Sequence, residues 1–307
     1  MRKYPPKTVQ QIFNRFDPSL KIHSVQDFGG DGLYNQLFLV QTENGDQRYS
    51  SDKYVLRIAP PDDLPKLFYE EQMMHSEPVI HNLVLNQTEV PAPEIYYHDF
   101  RREIIDADYM IMKYLPGGSG RFSHTELGEF VRQLHEITGN YYGYPERDLP
   151  RKQSWREAFL DYVRRIFTDC LKAGAIDKSE FDWFLARYKQ HREVLHQPEP
   201  VLLHLDLWSA NILTRDGTIT GILDFDRGMF GDPELEFAVL DTYGYSTEDF
   251  FRGYGRERPE NERARIRQRL YYVYEIIKYA FIRLARGGMR GVARRFVEEC
   301  KRTLKDV

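Results

Sequence analysis

Residues 204–226 read HLDLWSANILTRDGTITGILDFD, and this stretch indicates the fold of the chain more strongly than any other. Two β-prone runs flank the dipeptide Asp216-Gly217, which a two-residue type I′ turn favours because both of its residues need a positive φ. The stretch therefore predicts a β-hairpin with polar side chains at both of its ends.

The predicted hairpin brings an amide oxygen and a carboxylate together. Counting from the turn places Asn211 opposite Ile222, with Asp224 as its diagonal neighbour on the same face. Mg²⁺ takes few protein oxygen ligands and receives the rest from water and nucleotide phosphates, so we expect Asn211 and Asp224 to be its ligands. Upstream, His204 and Asp206 point the same way in an extended segment, which leaves Asp206 free to meet a substrate hydroxyl.

The spacing H-x-D-x-x-x-x-N, followed by an aspartate at the end of an apolar strand, is a shortened form of the catalytic pattern of protein kinases. Each aspartate alone could be a helix cap or a solvated carboxylate, but together they favour phosphoryl transfer. In this hypothesis the catalytic residues are Asp206, as the base, and His204, as a structural member of the loop. Asp226 either supports the loop or makes a second metal contact.

HLDLWSANIL, GILDFD and GDPELEFA (residues 231–238) together resemble the aminoglycoside phosphotransferase and choline kinase family of kinase-like small-molecule phosphotransferases. The resemblance covers most of the chain. It implies an α+β, protein-kinase-like fold of two lobes. Residues 1–115 would form a nucleotide-binding lobe with an antiparallel sheet and one helical region, and residues 116–307 a mainly helical lobe with the catalytic loop, metal site and substrate pocket.

Hydrophobic patterning favours the same division, because strand-like alternation precedes residue 115 and helical periodicity follows it. A turn is expected at Asn44-Gly45, and Pro78 is expected to interrupt the one early helical region, residues 65–86. The predicted strands are 22–28, 34–42, 53–59, 94–99 and 108–114, and the predicted later helices are 123–137, 154–173, 178–196, 233–254 and 259–306.

A glycine-rich segment between the first two predicted strands is a candidate phosphate-binding loop. Gly29, Gly30 and Gly32 would let backbone N–H groups approach phosphates. The family loop is similar and also has an asparagine shortly after the glycines, which makes Asn35 a further candidate. The P-loop pattern G-x-x-x-x-G-K-[ST] is absent from the sequence, which argues against a P-loop kinase.

The third predicted strand lies where kinases place a lysine that binds phosphates and pairs with a helix glutamate. The aligned residue here is Arg57, which departs from that pattern because a guanidinium binds bidentately and is bulkier. Lys53, on the same strand face, is the alternative. We expect Glu77 to be the partner, since its position resembles that of the family glutamate, with Glu70 and Glu71 as alternatives.

The segment from Tyr109 to Gly117 resembles the hinge that contacts the nucleotide base. Backbone groups from Lys113 to Leu115 are expected to meet an adenine edge, although such groups do not distinguish ATP from GTP. Met110 and Met112 either pack near the base or belong to the core.

Composition excludes several classes of protein. Two cysteines without metal-type spacing exclude a disulfide framework and a zinc site. A formal net charge of -4 gives no reason to expect nucleic acid as a partner. The N-terminal residues lack the apolar stretch of a signal peptide, and no apolar run is long enough for a membrane span, so we expect a cytoplasmic protein without a membrane partner.

The predicted activity is Mg²⁺-dependent transfer of the γ-phosphoryl group of ATP, or of GTP, to a hydroxyl of a small molecule. The family resemblance suggests an aminoglycoside or another antibiotic, and an amino alcohol, a sugar or a macrolide is the alternative. Acidic side chains that would suit a polycationic acceptor, or that lie on a solvated helix face, are Glu234, Glu236, Asp241, Glu248 and Asp249.

Two other functions remain as alternatives to a small-molecule kinase. The first is a catalytically inactive nucleotide-binding module, which the arginine in place of the usual lysine mildly favours. The second is a protein kinase, which is disfavoured because no long activation segment separates Asp224 from Gly231. The sequence pattern does not indicate an oligomeric state.

Overall fold

The computed structural model describes residues 4–28, 34–46, 51–305 and 307. A five-stranded antiparallel sheet has the spatial order β1-β2-β3-β5-β4. Each strand predicted before residue 115 is present. The second strand of the sheet continues through Asn44 and Gly45, so the predicted turn is not at that dipeptide. The strands are β1 (Ile22–Asp27), β2 (Gln36–Asp46), β3 (Ser51–Ile58), β4 (Ile95–Asp99) and β5 (Tyr109–Lys113).

A helix that the sequence analysis missed precedes the sheet. Helix α1 (Pro6–Phe16) starts at a proline, whose fixed φ suits the first helical position. Its apolar side chains Val9, Ile12 and Phe13 recur at helical spacing and are fully buried in the sheet's hydrophobic core. The prediction of one helical region in this part of the chain is therefore wrong.

Helix α2 (Met73–Gln87) runs through Pro78 without interruption, which corrects the predicted break. Pro78 is the sixth residue of this helix and removes the one backbone hydrogen bond that its nitrogen would make, while buried side chains on both sides of it hold the helix in place. Ser76, inside the same helix, contacts a distant part of the chain. Its hydroxyl donates to the carbonyl oxygen of Pro145 at 2.6 Å and accepts from Arg147 Nε at 2.6 Å.

The part of the chain after the sheet is mainly helical, and glycines divide two of its predicted helices. Gly244, with a φ of 71°, ends one helix within residues 233–254, and Gly288, with a φ of 64°, lies in the break within residues 259–306. The helices are α3 (His124–Glu136), α4 (Trp155–Lys172), α5 (Lys178–Gln190), α6 (Pro233–Tyr243), α7 (Glu248–Tyr254), α8 (Glu262–Phe281) and α9 (Arg290–Lys305).

Two short antiparallel strand pairs lie among these helices and carry the motif residues. Strand β6 (Val201–Leu203) pairs with β9 (Met229–Gly231), and β7 (Ile212–Arg215) pairs with β8 (Thr218–Ile222). Among the described residues, no helix has the length and apolar character needed to cross a membrane. The chain thus has a sheet-containing first part and a helical second part, while a domain boundary at residue 115 remains a prediction.

Candidate active site

The predicted hairpin is present, and its turn has the expected conformation. Asp216 and Gly217 have φ values of 53° and 83°, and Arg215 lies opposite Thr218. An irregularity in the ladder then shifts the pairing by one residue. Ile212, rather than Asn211, lies opposite Ile222, so that part of the predicted register is wrong.

Asn211 nevertheless lies next to Asp206 and close to the strand that leads to Asp224. The backbone N–H of Leu223 donates to the carbonyl oxygen of Asn211 at 2.9 Å. The Asn211 side-chain amide donates to Asp206 twice, at 2.8 Å to Oδ2 and at 2.9 Å to the carbonyl oxygen. Because the amide nitrogen points toward Asp206, the amide oxygen of Asn211 points away from it and is available to bind a cation.

The Asp206 carboxylate is partly accessible, with 22% of its side chain exposed. Its Oδ1 accepts from Arg227 Nη1 at 3.3 Å. Burial raises the pKa of Asp206, although the positive charge of Arg227 opposes that shift. The residue predicted to act as the base is therefore held by two donors and remains partly exposed.

His204 is fully buried and has both ring nitrogens engaged. The backbone N–H of Asp206 donates to Nδ1 at 3.2 Å, so Nε2 carries the proton and donates to the carbonyl oxygen of Leu223 at 3.0 Å. Burial lowers the pKa of His204 to about 4. The ring is thus neutral near pH 7 and joins the catalytic loop to the hairpin, in agreement with the structural role expected for it.

Glu236 supports the same loop, which the sequence analysis did not foresee. Its buried carboxylate accepts from the backbone N–H of His204 at 2.6 Å and from that of Leu205 at 3.0 and 3.1 Å. Leu205 has a φ of 64°, a left-handed conformation that an external acceptor helps to maintain. The available signal was a glutamate within an apolar run, because such a side chain is buried only when donors surround it.

Arg57 is the centre of a buried ionic cluster. Its Nη1 donates to Glu77 at 2.7 Å, and its Nη2 donates to Asp224 at 2.6 Å and to Asp226 at 2.7 Å. Asn35, with its amide oxygen toward the guanidinium, accepts from Nε at 3.0 Å. The structure therefore pairs Arg57 with Glu77, as expected from the sequence, and also places Arg57 against Asp224 and Asp226, which was not expected.

The carboxylates of this cluster crowd one another. Oxygen atoms of Glu77, Asp224 and Asp226 lie within 4.8 Å of one another. Burial alone would raise the pKa of Asp224, but Arg57 holds it below its usual value, while burial and the charge of Asp224 raise the pKa of Asp226. Glu77 Oε1 is buried and has no hydrogen-bond partner among the described residues. A site this rich in oxygen ligands and negative charge fits a hard divalent cation.

Lys53 and Glu70, considered as alternatives to Arg57 and Glu77, make other contacts. The Lys53 ammonium lies 5.8 Å from the centre of the Tyr114 ring. Glu70 accepts from the backbone N–H of Leu67 at 2.7 Å and forms an ion pair with Arg286. Glu70 is therefore not the partner of Arg57.

The other predicted nucleotide contacts are the glycine-rich loop, the hinge backbone and two methionines. Gly29, Gly30 and Gly32 lie outside the described residues. In the hinge, the Lys113 N–H donates to the carbonyl oxygen of Glu94 at 2.8 Å, so a base would have to be read by other backbone groups between Lys113 and Leu115. Met110 and Met112 are buried against Met74, which places them in the core.

Most of the acidic side chains considered for acceptor binding already have cationic partners. Glu234 forms a buried ion pair with Arg267, and Asp241 accepts from Arg258 at 2.5 and 2.8 Å. Asp249 pairs with Arg252 at 2.9 Å on the exposed start of α7. These carboxylates, like that of Glu236, stabilise the fold or meet solvent.

The model of the phosphotransferase enzyme family APH matches residues 26–270. A Vibrio cholerae protein named "Probable ketoamine kinase" is 26% identical over 287 residues, which cover 89% of this chain and 92% of that protein. A Staphylococcus aureus protein of the same description is 25% identical over 179 residues, 54% of this chain, and the match spans only 62% of that relative's length.

Solved structures share the fold at low sequence identity. A structure assigned as a fructosamine-3-kinase from Thermobifida fusca has a TM-score of 0.70 at 17% identity, with 97% of this chain and 99% of that chain covered. Aminoglycoside phosphotransferase APH(4)-Ia has a TM-score of 0.64 at 17% identity, with 97% and 99% covered. The family model matches most of the chain, and the sheet, hairpin and helices have a kinase-like arrangement. The chain therefore belongs to the APH phosphotransferase enzyme family and is a small-molecule kinase.

Proposed function

We propose that this protein transfers the γ-phosphoryl group of a nucleoside triphosphate, with Mg²⁺, to a hydroxyl of a sugar-derived metabolite, with ketoamines as the first acceptor class to test. The observation that carries the proposal is the convergence of Asp206, Asn211 and Asp224 beside the Arg57–Glu77 ion pair. Relatives named as ketoamine kinases support the choice of acceptor.

In the proposed reaction, Asp206 orients the acceptor hydroxyl and takes its proton as the oxygen bonds to the γ-phosphorus and the nucleoside diphosphate leaves. Asn211 and Asp224 would hold Mg²⁺, which neutralises charge on the phosphates. Arg57 would turn part of its fork toward those phosphates while Glu77 keeps it in place. Position and charge neutralisation supply most of the rate enhancement, because the transition state of phosphoryl transfer is loose.

The surroundings of Asp206 combine paired charges with an exposed aromatic surface. The cation Arg227 lies against the base, and the buried cation Lys278 lies near it. The exposed ring of Trp208 stacks on Tyr243, with 6.4 Å between ring centres. An aromatic surface of this kind suits the apolar face of a sugar ring.

The test is nucleotide consumption with a small fructosamine, a small ribulosamine, kanamycin, hygromycin B and a simple polyol, each with ATP and with GTP. We expect a ketoamine to accelerate consumption and to give a phosphate ester visible by ³¹P NMR. Asp206→Asn should abolish that signal, while Asp249→Asn, which removes an exposed carboxylate, should not. Acceleration by an aminoglycoside alone would overturn the acceptor class, and nucleotide binding without turnover on any acceptor would favour the inactive module.

A further inference from the structure

Helix α8 carries two buried charges on the side that faces the catalytic loop. Glu275 and Lys278 are only 1% and 3% exposed. The Glu275 carboxylate receives both arms of the Arg227 guanidinium, at 3.3 Å from Nη1 and 3.0 Å from Nη2, and it also contacts Lys278 Nζ. The same Nη1 of Arg227 donates to Asp206 Oδ1 at 3.3 Å. A continuous ionic path therefore connects α8 with Asp206.

The four groups balance in charge, with two cations and two carboxylates. Buried ions are costly unless each one is paired, so loss of any member would leave a charge that the interior does not compensate. Arg227 is held on another side by Tyr69, whose ring centre lies 5.2 Å from the guanidinium carbon. Glu275 and Tyr69 together leave the guanidinium little freedom to change direction.

The two carboxylate oxygens of Asp206 have different partners. Asn211 donates to Oδ2 at 2.8 Å, and Arg227 donates to Oδ1 at 3.3 Å. One hydrogen bond leaves a carboxylate able to rotate about its Cβ–Cγ bond, but bonds to both oxygens fix the plane of the group. Arg227, together with Asn211, therefore fixes the orientation of the Asp206 carboxylate.

We propose that Arg227, anchored by Glu275 of α8, is a positioning residue that fixes the Asp206 carboxylate toward the acceptor hydroxyl. This inference rests on the proposed role of Asp206 as the base. A structural role alone would predict lower thermal stability in Arg227 variants with no specific loss of turnover. A positioning role predicts a fall in kcat while the KM of the nucleotide, whose proposed contacts do not include Arg227, stays near its original value.

The test compares Arg227→Ala, Arg227→Lys and Glu275→Gln with the control Arg267→Ala. Arg267 lies on α8 and is a buried arginine like Arg227. It pairs with Glu234 and has no described contact to Asp206. We expect Arg227→Ala to lower kcat by roughly a hundredfold, as misplacement of a reacting group does. Millimolar guanidinium should restore part of that loss in Arg227→Ala, and neither the wild type nor Arg267→Ala should respond.

Arg227→Lys keeps a cation and should retain more activity than Arg227→Ala. Glu275→Gln should lower kcat less than Arg227→Ala does, with an unchanged nucleotide KM, and this variant answers the question if Arg227→Ala does not fold. Wild-type kcat in Arg227→Ala would overturn the proposal. It would also be overturned if all variants, including Arg267→Ala, lost activity in proportion to their melting temperatures without guanidinium rescue.

A crystal structure of Arg227→Lys separates this inference from the proposed function. A rotated Asp206 carboxylate in that variant would support the positioning role even if no acceptor were turned over by the wild type. An Asp206 carboxylate in its original orientation would overturn the positioning role, whatever the acceptor proves to be. Failure of the wild type on every acceptor would count against the proposed function alone.

Discussion

Arg57 on strand β3 and Glu77 on helix α2 form a buried ion pair, with 2.7 Å between Nη1 and Oε2. Their side chains are 5% and 0% exposed, so removal of Arg57 would leave the Glu77 carboxylate in the interior without the cation that pairs with it. Because the same guanidinium also contacts Asp224, the pair joins the sheet, the helix and the catalytic hairpin. We infer that this contact determines where nucleotide phosphates can approach the metal site.

Arg57→Lys should retain reduced activity, since an ammonium keeps the charge and loses the fork that contacts three carboxylates. Arg57→Met should raise the nucleotide KM by roughly tenfold or more, as expected for the loss of a charge-assisted contact of about 1.5 to 3 kcal/mol. Steady-state kinetics at varied ATP concentration measures both effects. Lys53→Met is the matched control. A large KM effect in that control and none in Arg57→Met would identify Lys53 as the phosphate ligand.

Asp206→Ala should abolish phosphoryl transfer and leave nucleotide affinity nearly unchanged, because the base acts on the acceptor hydroxyl and not on the triphosphate. Turnover and nucleotide binding are measured on the same preparation, together with the melting temperature. Turnover within a few-fold of the wild-type value would show that Asp206 is not the base.

Asp224→Ala should weaken the binding of the Mg²⁺–nucleotide complex as well as turnover, since the residue is proposed to be a metal ligand. Calorimetric titration with nucleotide in the presence and absence of Mg²⁺ measures this effect. The variant should lose the increase in affinity that Mg²⁺ gives to the wild type. An undiminished Mg²⁺ dependence would remove Asp224 from the metal site.

His135 should make the free energy of unfolding depend on pH. It is buried on α3, contacts the Tyr254 hydroxyl at 2.9 Å, and burial lowers its pKa to about 3. Below about pH 6.5 the unfolded chain binds a proton at His135 that the folded chain excludes. The free energy of unfolding is therefore independent of His135 titration above pH 6.5 and decreases as the pH falls toward 3.

The slope expected from one such proton is about 1.4 kcal/mol per pH unit. Denaturant titrations between pH 4 and pH 7 should therefore give a shallower pH dependence for His135→Gln than for the wild type. His23→Gln, which removes an exposed histidine, should retain the wild-type dependence. Parallel curves for the wild type and His135→Gln would contradict the prediction.

Local sequence was sufficient to predict the conformation of segments in which neighbouring residues determine it. The dipeptide Asp216-Gly217 predicted the turn because it accepts positive φ at both positions, and alternation of apolar residues predicted the strands of the sheet. The one-residue error at Asn211 arose from the irregular pairing between β7 and β8, which the turn residues do not encode. Helix α1 was missed because only eleven residues carry its pattern, and its stability comes from packing on the sheet.

The sequence by itself determined the chemistry of the hairpin, since His204, Asp206, Asn211 and Asp224 lie close together in the chain and their spacing fixes their types and order. Only the tertiary structure decided which distant charges surround them. Arg57 meets Asp224 across 167 residues, and Arg227 meets Glu275 across 48. Periodicity and turn propensity describe neighbours along the chain, whereas these buried ion pairs form because packing excludes water and each buried charge then needs an opposite charge from a distant part of the chain.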